Sequence, residues 1–339
     1  MNAPTLDLAA IAHRRRGVAG LMGEVMIALV PGTLLQAWLI GPGVLANVVL
    51  AVVVALALEA LVTLARKRPV RSTLGDGSIA LAAWLLALTL PPELPPGQLV
   101  VGVLAMVLLG KHLYGGLGQN PFNPAMVGYA VLIVSFPVTM TTWPASATGE
   151  VPTARTERAE RPPPAWDAIT AATPLDRLRT IDRERVYGSA DSTDLDADAD
   201  PAAFILSSPW PWVNGGFLIG GLWLLARGVI GWRIPLSLLG TLAVLHAVHG
   251  AVSVVPQPSV GASLLAGAAM LGAFFIATDP VSAASGPRAR LVYGAGIGAL
   301  TFALREFSAY PEGIAFAVLL MNAIVPVLDR LSGTPRAPA

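Results

Sequence analysis

The sequence predicts an all-α polytopic membrane protein of about ten transmembrane helices, arranged as two inverted five-helix repeats. Three observations predict it. Of 339 residues, 54% are hydrophobic and 13% charged, with a mean hydropathy of +0.65, whereas a soluble domain carries about 25% charged residues. Apolar segments of near-spanning length recur along the chain. Lys and Arg gather in alternate connections between them, as orientation in a bilayer requires.

The same composition excludes several functions. A net charge of +1 offers no bulk attraction to nucleic acid. Cysteine is absent, so this chain holds no disulfide, no thiolate-bound iron–sulfur cluster and no cysteine zinc site. Electrons crossing it need an organic cofactor or a partner's metal.

Arg14-Arg15-Arg16 precede apolar sequence, but no short apolar core with a small-residue cleavage site follows, and Glu24 interrupts the early part. The N-terminus therefore reads as a basic cytoplasmic segment, 1–20, ahead of a retained first helix. Apolar segments follow at 21–40, 44–65, 78–90, 98–114 and 122–139, then at 213–232, 235–254, 261–278, 290–304 and 311–328. They define a first transmembrane repeat over 21–139 and a second over 211–330, with a cytoplasmic tail at 331–339. Several are shorter than the ~20 residues of a straight crossing. The third ends in Pro91-Pro92, the eighth in Thr278-Asp279-Pro280, and the ninth is Gly-rich, which predicts broken or tilted helices.

With the N-terminus inside, the inner connections receive Arg66, Lys67, Arg68, Arg71, Lys111, Arg227, Arg233, Arg288, Arg290 and Arg330, and the short outer loops only Arg305. Both termini are then cytoplasmic, and the long loop 140–210 is periplasmic. That loop is too long for the charge rule to govern. Its flanks, 145–165 and the acidic run 190–201, read as solvated spacers. The acidic run lacks the glycine and terminal Glu of a calcium loop. Between the flanks Ile169, Leu175, Leu178 and Ile181 offer an apolar face, and Trp210 and Trp212 re-enter at the membrane interface.

The halves share an order of features. Leu90-Pro91-Pro92 precedes a spanning segment, then the Gly- and Asn-Pro-rich turn ending in Asn123-Pro124; Thr278-Asp279-Pro280 precedes another, then Tyr310-Pro311-Glu312-Gly313. Five crossings per copy, an odd number, invert the second copy relative to the first.

Lys111-His112-Leu113-Tyr114-Gly115-Gly116-Leu117-Gly118-Gln119-Asn120-Pro121-Phe122-Asn123-Pro124-Ala125-Met126 is the least ordinary stretch. Its glycines permit close backbone approach, and Asn120 and Asn123 bring amide groups to a helix start stiffened by Pro121 and Pro124. A packed turn of purely structural use is the alternative. Asp76 and Asp279 stand at membrane breaks, as ion-handling groups or as helix caps. Glu24 and Glu59 read as helix-end or internally paired acids. His246 and His249 share a helix face and read as core histidines in preference to metal or haem ligands.

In the outer loop, Asp167-Ala168-Ile169-Thr170-Ala171-Ala172-Thr173-Pro174 admits a plain reading as a helix start, with Thr170 or Thr173 as cap and Pro174 at the first helical position. The run also resembles the Asp-x-x-(Ser/Thr)-Gly-Ala-(Ser/Thr) signature at which a flavin transferase attaches FMN through a phosphoester to the final hydroxyl, here Thr173. Ala171 stands where that signature has Gly. The Lys111–Met126 block is similar to the corresponding stretch of the NqrB/RnfD family, membrane subunits of the Na+-pumping NADH:quinone reductase and Rnf complexes. So are Asp76-Gly77-Ser78, Leu88-Thr89-Leu90-Pro91-Pro92, Phe275-Ile276-Ala277-Thr278-Asp279-Pro280 and the run 310–323. The resemblance spans residues 20–330, and the Leu-Pro-Pro and short outer loops favour its RnfD branch.

The resemblance implies a urea-transporter-like fold in the inner membrane and a complex coupling NADH and ferredoxin to movement of Na+ or H+. It implies covalent FMN on Thr173 as an electron relay, and a second, non-covalent flavin with Asn120 and Asn123 among its contacts. The implied partners are the A, B, C, E and G subunits of the Rnf complex and the flavin transferase. A channel for a small polar solute on the same fold is the alternative, and a structural assembly subunit a third reading. A channel has no use for a flavin-bearing threonine in an external loop.

Overall fold

A computed structural model describes residues 17–115, 119–144, 170–171, 201–253, 257–308 and 313–333. The described chain is mostly helical. In order it forms α1 (Val18–Leu39), α2 (Gly43–Ala65), α3 (Val70–Leu74), α4 (Ser78–Leu88), α5 (Pro96–Ala105, running on as a π-helix over Met106–His112), α6 (Pro124–Ser135) and α7 (Pro137–Thr141). Two-residue strands β1 (Trp143–Pro144) and β2 (Thr170–Ala171) pair antiparallel. Then come α8 (Pro201–Ser207), α9 (Trp210–Ala226), α10 (Arg233–Val252), α11 (Val260–Leu265), α12 (Ala269–Leu271, running on as a π-helix over Gly272–Ile276), α13 (Pro287–Phe307) and α14 (Ile314–Leu331).

Among the described residues, α1, α2, α10 and α14 are long and apolar enough to cross a membrane, and α4, α5 and α6 are shorter apolar helices. The protein is a polytopic membrane protein. Helix α13 has 21 residues but carries Arg288, Arg290, Arg305 and Glu306, which lowers its apolar content. Each apolar segment read from the sequence overlaps one of these helices. Two proved to be interrupted: 122–139 breaks at Phe136-Pro137, and 261–278 breaks again at 266–268. Helix α8 inside the long loop was not expected.

Helix α1 packs along α9, α2 along α4, and α13 between α10 and α14. The α1–α9 crossing is close because Gly32 and Gly216 face one another, and a Cβ on Gly220 would run into the Ala28 carbonyl oxygen. Small residues at such a crossing let backbones approach where lipid supplies no hydrophobic drive to associate.

Broken helices leave carbonyls without helical partners, and hydrocarbon offers no water to satisfy them. Polar side chains of neighbouring helices take that role here. Gln36 of α1 donates to Leu88 O (3.0 Å) and Asn47 of α2 to Pro91 O (2.9 Å), closing the end of α4. At the α11–α12 break, where Gly267 takes φ +60°, Asn214 of α9 donates to Leu265 O (2.8 Å) and Gly267 O (2.7 Å) and accepts from Met270 N (3.2 Å). Arg305 donates to Ser263 O and Ala266 O of the same break. The sequence placed Arg305 in an outer loop. It lies instead in the last turn of α13, 4% exposed, drawn inward by those carbonyls.

Asn214→Leu keeps the volume and removes the amide. It is expected to cost about 2–3 kcal/mol, because two buried carbonyls and one N–H lose their partner. Thermal unfolding in detergent checks this, and an unchanged midpoint would show that the break satisfies itself.

Candidate functional site

Two regions gather chemistry. The first is the junction of the long loop with the helices. Trp143 is paired with Ala171 and Pro144 with Thr170. Trp143 is buried and meets Trp210, the first residue of α9, edge-on at 5.3 Å and 70°. An aromatic pair in this geometry contributes about 0.5–1.5 kcal/mol beyond its buried area. Thr170 and Ala171 of the sequence motif are thereby fastened to the root of α9. Trp210 Nε1 is buried without a partner among the described residues.

Thr173 itself lies outside the described residues, as do Asp167 and Pro174. The extended pairing of Thr170 and Ala171 corrects the helix-start reading for Thr170, since the residue after a helix cap is helical and Ala171 is in a strand. It also bears on Ala171. Lys67 is the single described non-glycine residue with positive φ, so the backbone at Ala171 makes no demand that only glycine meets. Trp212 is 68% exposed, as an interfacial aromatic should be, whereas Trp210 is buried by Trp143.

The second region is a charged cluster inside the helices. Glu59 of α2 is fully buried. Lys111 Nζ stands 2.8 Å from its Oε1, an ion pair off hydrogen-bond alignment, and His112 Nε2 lies 2.7 Å from its Oε2. Lys111 also donates to Ser78 Oγ (3.2 Å), and Arg66 to His112 O (2.8 Å). Consecutive residues on an α-helix diverge by about 100°. The π-helix over Met106–His112 has the wider turn that brings both Lys111 and His112 onto one carboxylate, and such turns recur at functional sites. The cluster forms the floor of a polar cavity of about 330 Å³, rimmed by Arg66 and Arg68. Inside it Thr63 Oγ1 and His112 Nδ1 are buried without partners among the described residues.

The remaining candidates resolve as follows. Asp76 accepts from the N–H and hydroxyl of Ser78 (2.8 and 2.7 Å), and Asp279 from those of Ser282 (3.1 and 2.6 Å). Asp76 thereby holds the first N–H of α4, and Asp279 closes a turn beyond the second break. Glu24 pairs with Arg227 of α9 at 3.3 Å, and Glu59 is paired as above. Asn123 caps α6 through Met126 N and donates to Ile276 O (3.2 Å), tying the two halves together. The Asn322 amide completes that junction when its oxygen accepts from Asn123 N (2.9 Å) and its nitrogen donates to Tyr293 OH (2.6 Å). Asn123 is thus committed to structure, while Asn120, bonded to Phe122 O, keeps a buried Oδ1 without a partner among the described residues.

His246 and His249 both lie edge-on to Phe302, with Nδ1 atoms 4.0 and 3.7 Å from the Glu306 carboxylate. Sequence reasoning missed Glu306, which joins them from α13. Among the described residues no three His or acidic side chains stand close enough to hold a metal ion.

Comparison with known proteins agrees with the motifs. The chain is 43% identical over 339 residues to the D subunit of the ion-translocating oxidoreductase complex of Aeromonas hydrophila, covering 96% of this chain and 95% of that one. It is 42% identical to the proteins of the same name from Vibrio atlanticus and Cronobacter sakazakii, covering 94% of each chain in both cases. The profile of the NQR2, RnfD, RnfE family matches residues 6–336. Motif blocks, helical layout and near full-length similarity converge, and the chain belongs to the NQR2, RnfD, RnfE family.

Proposed function

We propose that the protein is the membrane-embedded D subunit of an Rnf-type ion-translocating oxidoreductase complex, and that it carries FMN bound to Thr173. The observation that carries the subunit role is similarity along nearly the whole chain to proteins named as that subunit. In this reading the helices form ten crossings in two inverted repeats on a urea-transporter-like plan. Both termini are cytoplasmic and the 140–210 loop periplasmic, in a bacterial inner membrane. The complex passes electrons between NADH and ferredoxin and moves Na+ or H+. Its A, B, C, E and G subunits are the partners, and a flavin transferase is needed for maturation.

The flavin proposal rests on the motif and on what surrounds its root. The threonine hydroxyl is the one group at position 173 that forms a phosphoester. Strand β2 fixes Thr170 and Ala171, two residues before Thr173 in the sequence, beside Trp143 and Pro144. At that root Trp210 meets Trp143, and its unpartnered Nε1 is a donor that a phosphate or ring oxygen would take. Bound there, FMN supplies one-electron redox chemistry; the protein fixes its place and surroundings. A second, non-covalent flavin is proposed, with Asn120 Oδ1 as its remaining contact near the Asn-Pro turn. Asn123 is withdrawn from that role because its amide is already engaged.

The experiment is affinity isolation of the tagged chain from cells expressing the whole complex. Recovery of the partner subunits in fixed proportion with NADH-dependent electron transfer supports the assignment. A chain that isolates alone under mild detergent, with the rest of the complex intact without it, removes it.

A further inference from the structure

The cavity above the Glu59 cluster has a charge balance that its own residues do not settle. Its two acids are occupied: Glu59 by Lys111 and His112, and Asp76 by Ser78. The rim guanidiniums of Arg66 and Arg68 make single bonds to backbone carbonyls, His112 O at 2.8 Å and Gly115 O at 3.3 Å. Among the described residues neither meets a carboxylate. A guanidinium has five N–H donors in a planar fork, so most of each fork remains available. Thr63 and Thr73 also line the cavity, the Thr73 hydroxyl donating to Pro69 O (3.1 Å). With Glu59 countered by Lys111, two guanidinium forks against the single remaining carboxylate of Asp76 leave the lining net positive, as a receptor for an oxyanion is.

Position narrows the ligand. Arg66 caps the C-terminal end of α2, a helix of 23 residues whose length of about 35 Å matches a bilayer core with its edges. The forks therefore stand at the depth of lipid phosphates. The cavity, about 330 Å³, exceeds a bare phosphate and has room for a phosphate ester. Basic pockets between helices at this level take anionic headgroups.

We propose that this cavity is a binding site for a phosphate group, held by Arg66 and Arg68 over the Glu59–Lys111–His112 floor. The source is the headgroup of an anionic phospholipid or a free phosphate compound from the adjoining water, and the experiment separates them. Full-length protein, delipidated in neutral detergent, is offered phosphatidylglycerol, phosphatidylethanolamine or inorganic phosphate. Bound lipid is counted by native mass spectrometry, and phosphate is read by its effect on the unfolding temperature.

The lipid source predicts one retained phosphatidylglycerol per chain, preferred to phosphatidylethanolamine. Its retention falls at least about tenfold in Arg66→Gln/Arg68→Gln, as loss of charge-assisted bonds requires, and is unchanged in Arg71→Gln, an exposed charge outside the lining. Arg66→Lys/Arg68→Lys, which keeps charge and fold but loses the forks, falls in between. The free source predicts no lipid preference, and stabilisation by millimolar phosphate that is lost in the Gln pair. Equal lipid retention by wild type and the Gln pair, with no phosphate effect on either, overturns the site.

Discussion

Thr173→Ala is expected to remove all covalent flavin from the protein. The phosphoester needs the side-chain oxygen at residue 173, and alanine has none, so the effect is complete loss and not a partial reduction. Wild type and variant, each co-expressed with an active flavin transferase, are compared by in-gel flavin fluorescence after denaturing electrophoresis. A fluorescent wild-type band and a dark variant establish the attachment. Thr173→Ser restores a hydroxyl and is expected to label. A variant that still fluoresces moves the attachment, and Thr170 becomes the next residue to replace. A dark wild type sinks the covalent flavin and leaves a subunit of the complex without that electron relay. Ala171→Gly serves as an internal check. Because the backbone there is extended and paired with Trp143, restoring glycine is expected to change labelling by less than about twofold.

Glu59→Ala is expected to be the most damaging single change to stability. It leaves Lys111, 3% exposed, as a buried charge without its counter-ion, and removes the one described partner of His112 Nε2. Breaking a buried pair from one side costs about 3–5 kcal/mol, because the surviving charge keeps its desolvation penalty and loses its compensation. Scanning fluorimetry in detergent reads the loss. Lys111→Met in the same background is expected to recover much of it, since replacing both members of a buried pair by apolar groups is often nearly neutral. A loss below about 1 kcal/mol, within the range of an exposed pair, would mean that water reaches the carboxylate. The full cycle of single and double variants separates the coupling from the cavity left by the shorter side chain.

What the sequence reveals depends on how far a side chain's partners lie along the chain. The apolar segments were legible because each carries its signal within its own ~20 residues. Thr278-Asp279-Pro280 announced one break, since proline ends helices locally. The break at 266–268 did not announce itself: Gly267 is one glycine among many, and the groups that hold the break open, Asn214 and Arg305, come from other helices. Glu59 was legible as a helix-end or internally paired acid, but Lys111 could not be named. The partners are more than fifty residues away, and they converge only because α5 widens into a π-helix. Glu306 went unseen beside His246 and His249 for the same reason. Asp76 and Asp279 read as either caps or ion sites, and the bonds each makes to a serine two or three residues on are local ones that the sequence could show. The Thr170–Ala171 strand had no signature of its own, because its pairing is set by Trp143 on the far side of the loop.

The separation of Glu59 from its counter-charges also orders the making of the protein. A ribosome adding about 5–20 residues per second completes α2 several seconds before Lys111 and His112 exist. Helix α2 therefore meets the bilayer with a carboxylate at residue 59 and nothing opposite it, a cost below the roughly 2.5–3.5 kcal/mol of a charge at a helix centre because residue 59 lies toward the end of the helix. The most apolar of the four long helices carries it, which explains how the segment can partition on its own. Once α5 arrives, the same carboxylate becomes the group that recruits it. The acid that burdens the first stage of assembly thus directs the second, and a nascent chain halted before residue 111 should hold α2 in the membrane less firmly than one halted after it.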